Sequence, residues 1–295
     1  MNSTGWGIAL GYFDGVHIGH RKLIEELLRQ SGKIGLKTMV YTFDRHPQNV
    51  IRPDQSIPLI YPPEERYKIL RDLGVDSVEM TAFDKCIANM TPEQFFEDVL
   101  VKKYNMKYGV VGFNYRFGRE GKGDVRLLGG LATERGIRID VVKPVKLEGQ
   151  LVSSSYIRRL LKEGDIKRAN DCLGSNYTVS GRVVKGKGRG NGMGIPTANI
   201  RLPEGVMYPA RGVYATNTLF EGKRYISITN VGINPTFNND RTVTETYILG
   251  LNEDLYNRCI AVEFFDRIRE EKKFAGREEL RKQIELDIRK LENYF

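Results

Sequence analysis

The apolar pattern of this chain changes once along its length. From Gly7 to about Val142, short apolar runs alternate with stretches of helical spacing, whereas after Gly174 strand-like runs follow one another with turn residues between them. Alternation of strands and helices predicts a parallel sheet covered by helices. Successive strands predict an antiparallel sheet or small barrel. We therefore expect two domains, residues 1–174 and 175–295.

The pattern also predicts individual elements. In the first domain the expected strands are Gly7–Leu10, Leu36–Phe43, Val75–Met80, Tyr108–Gly112 and Ile137–Val142. The expected helices are Lys22–Gln30, Glu64–Leu73, Pro92–Tyr104, Val125–Arg135, Ser153–Lys162 and Asp165–Leu173. In the second domain the expected strands are Tyr177–Val184, Val213–Leu219, Tyr225–Val231, Val243–Leu249 and Ile260–Phe265. One amphipathic helix should close the chain, with an apolar face formed by Leu280, Ile284, Ile288 and Leu291.

Composition narrows the class of protein. Of the 295 residues, 40% are hydrophobic and 28% charged, as in soluble globular proteins. No run is apolar enough to cross a bilayer and the first residues do not read as a signal peptide, so we expect a cytoplasmic protein without a membrane partner. The net charge of +9 suits nucleotides as well as nucleic acid, and no basic run interleaved with aromatics marks a nucleic-acid partner. A homo-oligomer is compatible with the sequence.

The segment GYFDGVHIGH lies where the first strand gives way to the first helix. Its glycines Gly11, Gly15 and Gly19 allow the backbone to approach a ligand, and free N–H groups at a helix start favour an anion. His17 and His20 could hold the oxygens of a phosphate whose charge grows during displacement. The alternative is structural: one histidine caps the helix and the other is buried and hydrogen-bonded.

Other polar segments follow strands of the same predicted sheet, and ligands of such sheets bind beyond the carboxyl ends of the strands. VVGFNYRFG, residues 110–118, ends a strand with an Asn, an Arg and aromatics that could stack on a flat ring, or be a turn with core aromatics. SSSYIRR, residues 153–159, offers hydroxyls and helix-start amides to a polyphosphate, or is a serine-capped surface helix. TFDRHP, residues 42–47, adds the third histidine.

The second domain carries a further set of candidate residues. The glycine-rich stretch from Gly181 to Ile200 is not a Walker loop, and a flexible hairpin would explain it equally well. Thr197 and Asn199 are two apart, so on an extended segment their oxygens face one side and could share Mg²⁺ with ATP. Glu245 is the candidate base for a hydroxyl nucleophile, or a strand residue that faces water.

Four segments of the first domain, GYFDGVHIGH, TFDRHP, GFNYRFG and SSSYIRRLL, resemble the N-terminal adenylyltransferase domain of bacterial bifunctional riboflavin kinase/FAD synthetases. The resemblance implies a Rossmann-like α/β nucleotidyltransferase domain that joins FMN to the AMP part of ATP and releases pyrophosphate. It assigns stabilisation of the transferring α-phosphate to His17 and His20. The nucleotide pocket is assigned to Gly11, Phe13, Asp14 and Gly15. The flavin and phosphate contacts are assigned to Asn114, Arg116, Ser153, Ser154 and Arg158.

The second domain resembles the riboflavin kinase domain of the same enzymes through GRVVKGKGRGNGMGIPTANI, GVYAT, NVGINPTF, ETYIL and IREEKKF. The resemblance implies a small six-stranded antiparallel β-barrel with a C-terminal helix, which phosphorylates riboflavin with ATP. Thr197 and Asn199 would bind Mg²⁺, and Glu245 would activate the ribityl hydroxyl. The phosphate loop would include Gly186, Gly188, Gly192 and Gly194. Arg269 and Phe274 would lie near the flavin.

The expected substrates and products are therefore riboflavin, FMN, FAD and ATP, with Mg²⁺ as cofactor. Three other hypotheses stay open from sequence. The string His-Ile-Gly-His also occurs in class I aminoacyl-tRNA synthetases, although their lysine-rich second signature is not visible. A basic regulatory or RNA-binding protein could keep the fold without chemistry, and only one of the two domains could be active.

Overall fold

The computed structural model of the chain describes residues 5–185, 196–236, 239–272 and 274–295. Its contacts divide the chain into two compact units, Met1–Ser154 and Ser155–Phe295, and each is described by itself. Apart from Ser154, the first residue of the earlier helix, the two helices that precede Gly174 fall in the second unit by this division. The domain boundary that we expect after Gly174 stays a prediction.

The first unit is built on a parallel sheet. Its strands are β1 (Trp6–Leu10), β2 (Lys37–Phe43), β3 (Ser77–Thr81), β4 (Met106–Gly112) and β5 (Arg138–Val142). Its helices are α1 (Ile18–Lys33), α2 (Pro47–Ile51), α3 (Pro63–Asp72), α4 (Lys85–Asn89), α5 (Pro92–Gln94), which continues as a π-helix over Phe95–Lys103, and α6 (Val125–Glu134). A short hairpin, β6 (Lys146–Leu147) and β7 (Gln150–Leu151), follows.

The strand order β3-β2-β1-β4-β5 puts the N-terminal strand in the middle of the sheet. Because successive side chains of a strand point to opposite faces, β1 contributes to two cores. Ile8 and Leu10 pack with the π-helix and α6, whereas Ala9 packs with α1 and α3. The doubly covered parallel sheet confirms the predicted α/β class for this unit. It also brings the ends of β1, β2 and β4 to one edge.

The second unit contains two helices, a barrel and a final helix. The helices are α7 (Ser154–Glu163), α8 (Ile166–Leu173) and α9 (Arg277–Lys290). The strands are β8 (Tyr177–Val184), β9 (Thr197–Arg201), β10 (Gly212–Phe220), β11 (Lys223–Thr236), β12 (Asn239–Ile248) and β13 (Cys259–Arg269). Within the described residues these strands close in the order β10-β11-β12-β9-β8-β13, with every pair antiparallel. The predicted barrel is confirmed.

Hydroxyl groups fill part of the barrel interior. Thr216 Oγ1 lies 2.8 Å from both Ser227 Oγ and Thr229 Oγ1, and Thr229 Oγ1 lies 3.0 Å from Thr246 Oγ1. Thr218 donates to Ser227 Oγ at 3.0 Å. All five side chains are fully buried. This hydroxyl ladder links β10, β11 and β12 across the interior, because a buried hydroxyl is costly unless it is paired.

The C-terminal helix covers the outer wall of the barrel and is held there by a buried ion pair. Ile288 and Leu291 pack on Val213, Ala215 and Ile228. Asp287, only 1% exposed, accepts hydrogen bonds from Arg269 Nε at 2.9 Å and Gln283 Nε2 at 2.8 Å, and Arg269 Nη2 lies 2.8 Å from its carboxylate. A bidentate pair of this kind fixes α9 against the end of β13.

Breaking that pair should destabilise the second unit. The change Asp287→Asn leaves Arg269 without its counter-charge, and loss of one partner from a buried pair costs about 3–5 kcal/mol. We expect the free energy of unfolding to fall by about that amount in urea titrations followed by circular dichroism.

The matched control is Glu285→Gln on the same helix. Its carboxylate pairs with Arg281 at 3.1 Å, but both side chains are more than half exposed. Exposed pairs contribute about 0–1 kcal/mol, so this variant should unfold like the wild type. Equal stability of the two variants would contradict the assignment of Arg269–Asp287 as an anchor.

Candidate active sites

The turn after β1 is held in an unusual backbone conformation. Phe13 has φ 57°, Gly15 has φ 80° and Val16 has φ 39°, all in the left-handed region. A β-branched residue there is strained, at a cost of about 1–3 kcal/mol. Phe13 and Val16 are nevertheless fully buried in the core beneath the turn, and Val16 N–H donates to Phe13 O at 3.1 Å. Core packing therefore enforces a turn that local preference disfavours.

Asp14 ties this turn to two other segments. Its carboxylate, 1% exposed, accepts backbone N–H groups of Ile60 at 3.1 Å and Tyr61 at 3.3 Å. Its carbonyl oxygen accepts the Ser154 hydroxyl at 2.8 Å. Asp14 and Gly15 are buried and do not line the neighbouring cleft. Asp14 therefore holds the turn in place through these buried hydrogen bonds and does not itself form part of the cleft wall.

The two histidines of the motif lie against each other at the start of α1. His17 is the N-cap, and its Nδ1 accepts the backbone N–H of His20 at 3.3 Å. The proton of a neutral His17 must then be on Nε2. The rings of His17 and His20 stack with centroids 3.6 Å apart and an interplanar angle of 17°. A Cβ on Gly19 would lie 3.1 Å from the His17 ring, so glycine leaves room for the stack.

Both imidazoles are neutral at pH 7. Burial lowers the pKa of His17 to about 4. Burial, together with the neighbouring charges of His17 and Arg66, also holds the pKa of His20 well below its ordinary value. The Nδ1 atom of His20 is buried and has no hydrogen-bond partner. The pair is thus a neutral, partly unsatisfied donor set at a helix N-terminus, where an anion would be stabilised.

A cleft of about 740 Å³ opens beside His20 at the carboxyl ends of β1, β2 and β4. His17 is buried behind His20 and does not line it. Of the predicted residues, the structure brings together here Gly11, Phe13, His20, Asn114 and Arg116. Asn114 and Arg116 are exposed, and Tyr115 and Phe117 beside them stack at 5.7 Å with an angle of 10°. Phe117 is buried in the core and Tyr115 packs against that core, so stacking of this segment on a flat ring stays a prediction.

The cleft includes residues to which the sequence analysis assigned no role. Tyr12 and His46 line it and meet edge to face with centroids 4.6 Å apart, and His46 Nδ1 caps α2 through Gln48 N–H at 3.2 Å. Arg52 lies at the rim. The His-Pro pair directly after β2 is a sequence feature that could have indicated His46 as a cleft residue. No comparable sequence feature marks Tyr12 or Arg52.

The residues of the serine-rich segment 153–159 are divided between the two units. Ser153 and Ser154 lie in the first unit, and the Ser154 hydroxyl is engaged with Asp14 O as described. Arg158 lies on α7 in the second unit. A contact of Ser153 or Arg158 with phosphate stays a prediction.

In the second unit the strand register aligns the predicted kinase residues. Asn199 on β9 lies directly opposite Glu245 on β12, and Glu245 lies opposite Asn230 on β11. Directly paired residues of neighbouring strands have Cβ atoms about 4.5–5.5 Å apart. Thr197 shares the face of Asn199 because the two are separated by one residue. Since Thr246 is part of the interior ladder, Glu245 faces outward, and its side chain is half-buried.

A smaller cleft, of about 130 Å³, adjoins β9. It is lined by Val183, Pro196, Thr197, Ala198, Thr246, Ile248, Leu251, Glu253, Asp254, Leu255 and Tyr256. The hydroxyl of Thr197 and the amide oxygen of Asn199 fit Mg²⁺, which typically takes one or two protein oxygens and completes its shell with phosphates and water. The phosphate-loop residues Gly186, Gly188, Gly192 and Gly194 lie outside the described residues.

Arg269 and Phe274 are neighbours, with the guanidinium 5.7 Å from the ring centroid. The Arg269 side chain is engaged with Asp287, so the structure gives it an anchoring contact that sequence reasoning missed. A role for either residue near the flavin stays a prediction.

Within the described ranges, no helix is long and apolar enough to cross a membrane.

Known proteins resemble the chain along nearly its whole length. A family described as FAD synthetase matches residues 1–156, and one described as riboflavin kinase matches residues 173–295. The relative from Bacillus subtilis (strain 168) named bifunctional riboflavin kinase/FMN adenylyltransferase is 35% identical over 293 residues, 98% of this chain and 92% of that protein. The relative of the same name from Escherichia coli (strain K12) is 34% identical over 289 residues, with 98% and 92% covered.

The crystal structure of a protein from Streptococcus pneumoniae that is named a macrolide-efflux protein is also similar. It is 31% identical, with a TM-score of 0.90, and the match covers 99% of this chain and 95% of that chain. Both halves of the fold are thus found together in another protein. With two family matches and full-length relatives of one name, the chain belongs to the bifunctional riboflavin kinase/FMN adenylyltransferases, the enzymes that convert riboflavin to FMN and FMN to FAD.

Proposed function

We propose that adenylyl transfer takes place in the cleft beside His17 and His20, and riboflavin phosphorylation along the Asn199–Glu245 row. The observation that carries the first assignment is the stacked, neutral histidine pair at the start of α1. The cross-strand register of Asn199 and Glu245 supports the second. Mg²⁺ as the metal, cytoplasmic localisation, the absence of a nucleic-acid or membrane partner and the oligomeric state stay predictions.

Adenylyl transfer needs charge stabilisation more than proton removal. The phosphate of FMN is already ionised at neutral pH and attacks the α-phosphorus of ATP, with pyrophosphate as the leaving group. Nε2–H of His17 and the free N–H groups at the start of α1 donate to the oxygens on which charge develops. His20 presents its imidazole to the cleft.

Phosphorylation of riboflavin requires a base. The attacking ribityl hydroxyl is neutral, so Glu245 takes its proton as the γ-phosphate is transferred. Oxygens of Thr197 and Asn199 would hold Mg²⁺, which would neutralise phosphate charge. The direct pairing of Asn199 with Glu245 on neighbouring strands supports this proposal.

The name of the Streptococcus pneumoniae protein refers to macrolide efflux. We do not transfer that activity to this chain, because both family matches and the curated relatives name flavin nucleotide synthesis. The FAD synthetase match also includes the His-Ile-Gly-His string. It therefore supports adenylyl transfer to FMN over aminoacyl-adenylate formation.

Removal of the first-unit histidines should abolish only the second reaction. For His20→Ala we expect conversion of FMN to FAD to fall about a hundredfold or more, the usual cost of losing a group that stabilises transition-state charge. Conversion of riboflavin to FMN should be unchanged. A chromatographic time course with ATP and Mg²⁺ resolves riboflavin, FMN and FAD. Loss of both activities from a folded variant would contradict separate sites.

Glu245→Gln should have the opposite effect. The amide cannot accept the hydroxyl proton, so formation of FMN should fall by about 10²–10⁴-fold. Supplied FMN should still be converted to FAD at the wild-type rate. Assays started from riboflavin and from FMN separate the two steps. A folded variant that makes FMN normally would show that Glu245 is not the base.

The neutral state of the histidines makes stability depend on pH. The folded-state pKa of His17, about 4, lies below its ordinary value of 6.5, so between these values the unfolded chain binds more protons. Stability should therefore fall as pH drops from 6.5 to about 4, with His17 alone contributing about 3 kcal/mol. Urea titrations across this range measure the slope.

The matched variant is His17→Asn. Asparagine is a favourable N-cap, so α1 should remain capped while the titrating imidazole is removed. The loss of stability between pH 6.5 and 4 should be smaller in this variant than in the wild type. An unchanged slope would mean that His17 is not the buried neutral group.

A further inference from the structure

A fully buried arginine lies behind the wall of the first-unit cleft. Arg66 on α3 is 0% exposed, and its guanidinium carbon lies 4.2 Å from the centroid of the Tyr12 ring. Tyr12 lines the cleft, whereas Arg66 does not. The aromatic ring is therefore the layer between the buried cation and whatever occupies the cleft.

The hydrogen-bonding capacity of Arg66 is only partly used. Its Nη2 donates to the carbonyl oxygen of Phe43 and lies 3.5 Å from that of Asp44, at the carboxyl end of β2. The same nitrogen is 3.9 Å from Met80 Sδ. Nε and Nη1 are buried and have no hydrogen-bond partner. A buried guanidinium is normally paired, so this arrangement is costly unless the charge serves another group.

No carboxylate in the described part of the chain forms an ion pair with Arg66. The acidic groups of the adjoining segments have other partners. Asp14 accepts N–H groups of Ile60 and Tyr61, and Asp44 Oδ1 accepts the N–H of Phe83 at 2.9 Å. His20 is close enough for its pKa to be lowered by Arg66, and His46 meets the Tyr12 ring edge to face. The cleft wall thus has positive charge behind it.

We propose that Arg66 is a positioning residue for adenylyl transfer, which holds the Tyr12 ring against the cleft and directs a buried positive charge toward the phosphates. A cation on the far face of an aromatic ring is attracted by the ring and fixes its orientation. The charge is preorganised, since burial and the Phe43 carbonyl hold it in place before substrate arrives. The low pKa of His20, to which Arg66 contributes, agrees with a charge acting at this distance.

The proposal rests on the adenylyl-transfer site assigned above, and the experiment separates the two. In the full-length protein, Arg66→Met removes the charge while keeping an unbranched side chain. We expect kcat/KM for FMN adenylylation to fall about tenfold or more, with riboflavin phosphorylation unchanged. The acidic limb of the pH profile of kcat/KM should move to higher pH, because loss of a neighbouring cation raises the pKa of His20.

Two further variants identify the cause. Arg66→Lys keeps the charge and the contact with the ring but loses the planar fork, so activity should remain within about threefold of wild type. Lys68→Met removes an exposed charge from the same helix and should change neither the rate nor the pH profile.

An unchanged rate and pH profile in a folded Arg66→Met variant would overturn the proposal. If that variant does not fold, Arg66→Lys decides the matter. A fall of about tenfold or more with an intact kinase step would show that the hydrogen-bonding fork, and not the charge, is what the site needs. Failure of the wild-type protein to make FAD would overturn the proposed function instead.

Discussion

The first unit depends on the left-handed turn that follows its central strand. Phe13 and Val16 take backbone angles that their side chains disfavour, and burial of both side chains in the core below stabilises the turn. This left-handed turn determines where α1 begins, and it therefore places His17 at the N-cap of that helix. Asp14 adds a second constraint by binding the Ile60–Tyr61 backbone. The position of the histidines therefore follows from core packing some residues away.

The two candidate sites differ in the charged and polar groups that they present. In the first unit the protein keeps its histidines neutral and buries a cation behind an aromatic ring. In the second unit the polar groups Asn199, Glu245 and Asn230 lie in one row on the outer face of a barrel. The difference matches the chemistry, because an ionised phosphate nucleophile needs positive potential, whereas a hydroxyl nucleophile needs a base.

Much of the fold could be predicted from the sequence, since long periodic segments carry their own signal. The runs around Leu23 and Leu27, or Tyr108 and Val110, show their period directly. Strand β9 was expected only as an extended segment, because the neighbouring glycines obscure its pattern. Arg66 was not predicted, since a charged residue in a helix normally faces water. The roles of Asp14 and Asp287 depend on partners distant in sequence, which periodicity does not report.

The hydroxyl ladder of the barrel has a consequence for strand register. Apolar side chains alone specify the pairing register of two strands weakly. A shift of the register by one residue turns every side chain of the strand to the opposite face of the sheet. Here Thr229 joins Thr216 on one side and Thr246 on the other, so a displaced β12 would take Thr246 out of this row of hydrogen bonds. The hydroxyl ladder thus favours one register of β12. In that register Glu245 faces outward, opposite Asn199.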